Sequence, residues 1–79
     1  MIKNKENEPD NKEIKVILDL FNLKKFEDVK SVISEKISKF PKSSILHNIL
    51  GAVLVEENQL ILAIEQYKKS IKLKPDYAQ

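Results

Sequence analysis

The sequence predicts an all-α protein whose four helices form antiparallel hairpins, stacked as a short α-solenoid. Three observations predict this class. Apolar residues recur at helical spacing, the segments between helix-breaking residues are about 13 to 15 residues long, and these segments repeat after 34 residues. Strand-like alternation of polar and apolar residues continues for as many as five residues only at Ser70–Lys74. The pattern therefore favours helices over strands.

Composition limits the chemistry open to the chain. With 79 residues it is one domain at most, and the absence of cysteine excludes disulfides, thiolate zinc sites and cysteine nucleophiles. All 14 basic residues are lysine, so the bidentate donor favoured for reading bases is missing. The longest apolar run, Leu60–Ile64, is five residues, far below the ~20 that span a bilayer. We therefore expect a cytoplasmic protein that binds neither nucleic acid nor membrane.

The N-terminal part predicts a tail and one helix. Residues 1–9 are polar and without apolar periodicity, so we expect a disordered tail, followed by a single domain over residues 10–79. Asp10 is a candidate N-cap, and Glu13 completes a capping box. The first helix then carries a helical stripe of Ile14, Ile17, Leu18 and Phe21.

Three further helices follow. A weak break at residues 22–25 separates the first helix from a second one, predicted over about Phe26–Lys39 and ended by Pro41. Ser43 or Ser44 caps a third helix, which stops near Glu57 and Asn58, because asparagine tolerates the left-handed conformation found at helix ends. The fourth helix is predicted over about Gln59–Leu73, before Pro75.

The second half of the chain carries a recognisable pattern. It reads His47-x2-Leu50-Gly51-x2-Leu54, then Ala63-x3-Tyr67, then Pro75. This spacing resembles the tetratricopeptide repeat, with repeat 1 over about 10–43 and repeat 2 over about 44–77. The residues that define the second repeat are Leu50, Gly51, Leu54, Ala63, Tyr67 and Pro75. Gly51 and Ala63 are small where the two helices cross.

The first repeat departs from the family pattern. Ile17 stands where the family prefers glycine, and Val29 stands where it prefers alanine. In the second repeat His47 replaces the usual tryptophan. Because Ile17 and Val29 are larger, we expect the first helix crossing to be wider or repacked.

The resemblance implies a protein-interaction scaffold in which the first helix of each pair lines a concave groove for a peptide or a partner helix. The positions it assigns to that groove are Ile14, Leu18, Phe21, Asn22, Ile45, Asn48, Ala52 and Val55. Ile14 and Leu18 stand where the chaperone-binding members carry the polar residues of a carboxylate clamp, so a clamp is not expected. Phe21 and Leu18 would contact an apolar side chain of the partner, and Asn48 would hydrogen-bond to a peptide backbone. The alternative is that Asn48 is merely solvated and Phe21 is merely a core residue.

No residue set predicts catalysis, a metal site or a cofactor. His47 is the sole histidine, and the acidic pairs at residues 27–28 and 56–57 lie near helix ends, where charges are normally solvated. We therefore expect a non-enzymatic protein, with His47 as a packing residue; a ligand or pH-sensing role for His47 is the alternative. A basic cluster ends the fourth helix, where the helix dipole favours cations; anion or RNA binding is the alternative. It consists of Lys68, Lys69, Lys72 and Lys74.

The fourth helix is apolar on several sides in its first turn. Such a helix is normally covered by neighbours, and two repeats leave it uncovered. The residues expected to mediate self-association are Leu60, Ile61, Leu62 and Ile64. A homodimer, a further repeat or a partner protein would each cover them. The alternative function is accordingly a self-assembling structural module, or the N-terminal segment of a longer, transferase-linked protein.

Overall fold

The computed structural model describes residues 8–73, and this part of the chain consists of four α-helices without a strand. The helices are α1 (Asn11–Asn22), α2 (Phe26–Lys39), α3 (Ser44–Glu56) and α4 (Leu60–Leu73). The all-α prediction is confirmed, and each helix boundary lies within one or two residues of its predicted position. None of these four helices is long and apolar enough to cross a membrane.

Consecutive helices are antiparallel and pack against one another. Near the start of α1, Glu13 accepts from the Lys36 ammonium near the end of α2, with Oε2 and Nζ 3.1 Å apart. In the second pair, Ser44 at the start of α3 meets Ser70 near the end of α4. This packing is compatible with a small helical solenoid or a bundle.

The predicted N-caps are present. Asp10 Oδ1 accepts from the Glu13 amide at 3.0 Å, while Glu13 Oε1 accepts from the Asp10 amide at 3.2 Å, which closes a capping box. Of the two serines proposed to cap α3, Ser43 is the cap, because its hydroxyl accepts from the Leu46 amide at 3.0 Å. Each cap satisfies an amide that has no partner inside its helix.

The backbone repeats with an offset of 34 residues. Both ends of α4 lie 34 residues after the corresponding ends of α2, and the last residues of α1 and α3 have the same offset. Lys24 and Asn58, also 34 apart, both have left-handed backbones, with φ of 61° and 63°. The prediction of a left-handed Asn58 is confirmed. The left-handed Lys24 was not predicted, because lysine has no preference for this conformation.

The hydrophobic core joins α1, α2 and α3. Its buried side chains are Ile17, Val29, Ile33, Leu46, Ile49 and Val53. Ile17 and Val29 are fully buried, so the larger residues of the first crossing pack inside the core. As expected from their size, α1 and α2 pack less closely than α3 and α4.

The folded part of the chain begins before Asp10. Pro9 is buried, and the Glu8 carboxylate accepts from the Ser43 hydroxyl and from the Ser44 amide, the latter at 2.9 Å. The predicted disordered tail therefore does not extend over Glu8 and Pro9, because the carboxylate fills an acceptor role at the start of α3. The rest of that tail, residues 1–7, and residues 74–79, which include Lys74 and Pro75, lie outside the described residues.

Candidate interaction surfaces

The α1 residues assigned to a groove share one side of their helix. At 100° per residue they span an arc of about 100°. Leu18 is 42% exposed and Asn22 is exposed, whereas Ile14 and Phe21 are half-buried against the core. The Phe21 ring packs edge-on against Phe26, with ring centroids 5.5 Å apart, so much of this side chain serves the fold.

The α3 residues assigned to the groove also share one side. Asn48 is exposed and Val55 is 43% exposed, while Ala52 and Ile45 are half-buried and Ile45 packs against the core. The structure thus leaves the side-chain amide of Asn48 accessible to a peptide backbone or to solvent.

Helix α4 carries the most exposed apolar surface of the described residues. We define the α4 apolar face as the residues Leu60, Ile61, Ile64 and Ile71, which are 53%, 76%, 52% and 64% exposed. At 100° per residue, Ile64 and Ile71 lie within about 40° of Leu60, and Ile61 lies about 100° away. The face therefore forms a stripe along the helix, with an open depression of about 440 Å³ beside its first turn.

The four residues of the predicted self-association set are all exposed. Leu62, which is 48% exposed, lies about 200° from Leu60 around the helix axis and is left out of the stripe, although both residues line the depression at the start of α4. Ile71 is absent from the predicted set but belongs to the α4 apolar face, and its spacing of seven residues from Ile64 is the sequence signal for it.

The repeat explains why the α4 apolar face is bare. The counterparts of Leu60 and Ile71 in the first repeat are Phe26 and Ile37, which are half-buried against the core. The counterpart of Ile64 is Lys30, whose ammonium reaches Glu57 beyond the end of α3 at 2.9 Å. The counterparts of Leu60, Ile64 and Ile71 on α2 are thus partly covered, while Glu27, the counterpart of Ile61, is exposed. The described residues leave all four positions open on α4.

The opposite end of the stack carries charged side chains beside two exposed apolar ones, Val16 and Leu23, which are 55% and 65% exposed. Lys12, Lys15 and Asp19 are exposed on α1, and Lys15 Nζ lies 3.1 Å from the Asp19 carboxylate. Their counterparts 34 residues later are Leu46, Ile49 and Val53, all of them buried. The outer side of α1 therefore carries charges at the positions where α3 carries core residues.

Gly51 and Tyr67, two of the residues that define the second repeat, bring α3 and α4 into close contact. A Cβ added to Gly51 would lie 2.8 Å from Tyr67 Cε1, so the tyrosine ring fills the space that glycine leaves. Ala63 is 1% exposed and Leu54 is 9% exposed, while Leu50 packs against the core. The main role of these residues is therefore to pack the helices.

The remaining polar residues have structural partners or face solvent. The His47 imidazole is buried, and its Nδ1 donates to Gln66 Oε1 at 2.7 Å, in keeping with a packing role. Hydrogen bonding to Glu57, helped by the nearby Glu27, raises the pKa of Lys30 above its ordinary value. Lys68, Lys69 and Lys72 are exposed near the end of α4. Among residues 8–73, no group of three potential metal ligands occurs.

Comparisons with protein-family models, with curated proteins and with solved structures found no match for this chain.

Proposed function

We propose that the protein is a non-enzymatic protein-interaction module whose principal docking surface is the α4 apolar face. The observation that carries the proposal is the exposure of Leu60, Ile61, Ile64 and Ile71, each more than half accessible on one helix. Burial of such a side chain contributes about 1.5–3 kcal/mol. A small domain that leaves four of them bare on one side has a surface suited to a partner.

The tetratricopeptide resemblance supports the same class of function. The sequence pattern of the second repeat and the 34-residue offset between helix pairs are the features that resemble this family. Its domains are protein-interaction scaffolds. The resemblance thus supports a binding role, and the exposure of α4 supports the choice of this helix as the docking surface.

The side shared by the α1 and α3 groove residues is a second candidate surface. Leu18 and Val55 are each close to 40% exposed, and Asn48 lies accessible between Ile45 and Ala52. An extended peptide would place an apolar side chain on Leu18 and a backbone amide or carbonyl on Asn48. Because Ile14 and Phe21 are partly committed to the core, this surface offers less free apolar area than α4.

Site-specific photo-crosslinking tests the proposal. A photoreactive phenylalanine replaces Ile61 on α4, Leu18 on α1, or Glu35, which is exposed on α2 and serves as the control. In extract of the native cells we expect one saturable crosslinked species from the Ile61 position, competed by unlabelled protein but not by its Ile64→Lys variant.

The outcomes separate the two surfaces. Crosslinking from the Leu18 position alone would move the docking surface to the groove residues. If the crosslinking yield at neither the Ile61 nor the Leu18 position exceeds that at the Glu35 control, the proposed interaction function is wrong.

A further inference from the structure

We infer that the occupant of the α4 apolar face is a second copy of this chain, with the two α4 helices antiparallel about a two-fold axis. The inference rests on the proposed function, because it takes this face to be the docking surface. It adds the identity of the partner and the geometry of the pair. Three features of the described residues support it.

The first feature is the set of charges on the outer side of α1, which disfavours head-to-tail stacking. In such a stack, α1 of one copy would cover α4 of another in the way that α3 covers α2. It would present Lys12, Lys15 and Asp19 where α3 presents Leu46, Ile49 and Val53. Buried charges without matched partners are costly, so this open-ended arrangement is disfavoured. A closed two-fold pair avoids it.

The second feature is the spacing of the stripe. Leu60, Ile64 and Ile71 follow one another at intervals of four and seven residues, which is compatible with an a/d seam between paired helices. An antiparallel pair can set Leu60 of each copy opposite Ile71 of the other. The surface is thus complementary to itself, as a two-fold interface requires.

The third feature is the charge beside the stripe. Glu65 and Lys68 are exposed on the same flank as Ile61. In the antiparallel register, Glu65 of each copy lies within one helical turn of Lys68 of the other, which gives two opposite-charge pairs. In a parallel two-fold pair the flank that carries Glu65 and Lys68 lies on opposite sides of the two copies, so these pairs would not form. Charge therefore favours the antiparallel pair.

Analytical ultracentrifugation of the full chain over a range of concentrations tests the inference. We expect a monomer–dimer equilibrium for the unaltered protein. Ile64→Lys should raise the dimer dissociation constant about 100-fold or more, because the change enters the interface twice. Leu62→Lys is the matched control, an equally exposed leucine on the other side of α4, and should leave the constant within about threefold.

A charge exchange tests the register. Glu65→Lys should weaken the dimer, and the double variant Glu65→Lys/Lys68→Glu should restore it. Both positions are exposed on α4, so we expect every variant to fold. Circular dichroism at the same concentrations checks this.

Three results would overturn the inference: a monomer throughout, assembly that continues beyond the dimer, or equal effects of Ile64→Lys and Leu62→Lys. A monomer whose Ile61 position still crosslinks to another protein would overturn the two-fold pair and leave the proposed function intact. A monomer without such crosslinking would contradict both the two-fold pair and the proposed interaction function.

Discussion

Tyr67 occupies the space in which Gly51 would carry a side chain. Its Cε1 lies 2.8 Å from the ideal position of a Cβ on residue 51, and Cδ1 and Cζ lie 3.0 Å from it. This contact fixes how closely α3 approaches α4, and it gives a direct test of the packing.

Gly51→Ala should destabilise the protein although it improves helix propensity. Alanine gains about 1 kcal/mol over glycine inside a helix, while overpacking typically costs about 1–3 kcal/mol. We expect a net loss of up to about 2 kcal/mol, measured by urea unfolding. In a Tyr67→Leu background the same change should become stabilising, because the ring is gone. A stabilising Gly51→Ala in the unaltered chain would contradict the contact.

Glu8→Ala should weaken the attachment of the N-terminal segment to α3. The change removes a carboxylate that accepts from the Ser43 hydroxyl and the Ser44 amide. Hydrogen bonds to charged groups contribute about 1.5–3 kcal/mol, so we expect a loss of about 1–3 kcal/mol in the free energy of unfolding. Glu35→Ala, at an exposed position on α2, should change it by less than about 0.5 kcal/mol. Equal effects of the two changes would show that Glu8 does not hold α3.

Lys24→Gly should stabilise the protein. Lys24 has a φ of 61°, a conformation that costs a non-glycine residue about 1–2 kcal/mol, while glycine adds an entropic cost of about 0.5–1 kcal/mol on folding. We expect a gain of about 0.5–1 kcal/mol in thermal or urea unfolding. Lys24→Ala keeps the backbone penalty and should give no gain. Asn58→Gly should give a smaller gain, since asparagine tolerates this conformation.

The Lys30–Glu57 pair should stabilise the fold only below strongly alkaline pH. Hydrogen bonding to Glu57 raises the pKa of Lys30 above 10.5, so the folded state holds this proton more tightly than the unfolded state. The stabilisation is complete below pH 10.5 and is lost as the pH rises through the higher, folded pKa.

A double-mutant cycle of Lys30→Met and Glu57→Gln measures this coupling. We expect a favourable coupling at pH 8 that disappears at the alkaline end of the titration. Lys39→Met, at an exposed position on α2, controls for the general effect of alkali. A coupling that is unchanged by pH would exclude the ion pair as its source.

Much of the fold follows from local signals. The capping box at Asp10, the break before Phe26 and the left-handed Asn58 each depend on residues a few positions apart, and all are present. The 34-residue repeat could also be predicted from the sequence, because it depends only on the spacing of residues along the chain. These features require no knowledge of how distant segments meet.

The prediction that needed correction concerns a distant contact. Glu8 reads as part of a polar tail, and only the position of α3 reveals that its carboxylate meets the Ser44 amide 36 residues away. The left-handed Lys24 was missed because lysine has no preference for that conformation.

The contacts between α3 and α4 also bear on how the chain folds. Ser44 with Ser70, His47 with Gln66 and Gly51 with Tyr67 are contacts between neighbours in a hairpin, so a short loop closure brings them together. This pair can therefore form early, and α1 can join it afterwards. Amide hydrogen exchange should then be slowest in α3 and α4 and faster in α1, which opens first under native conditions.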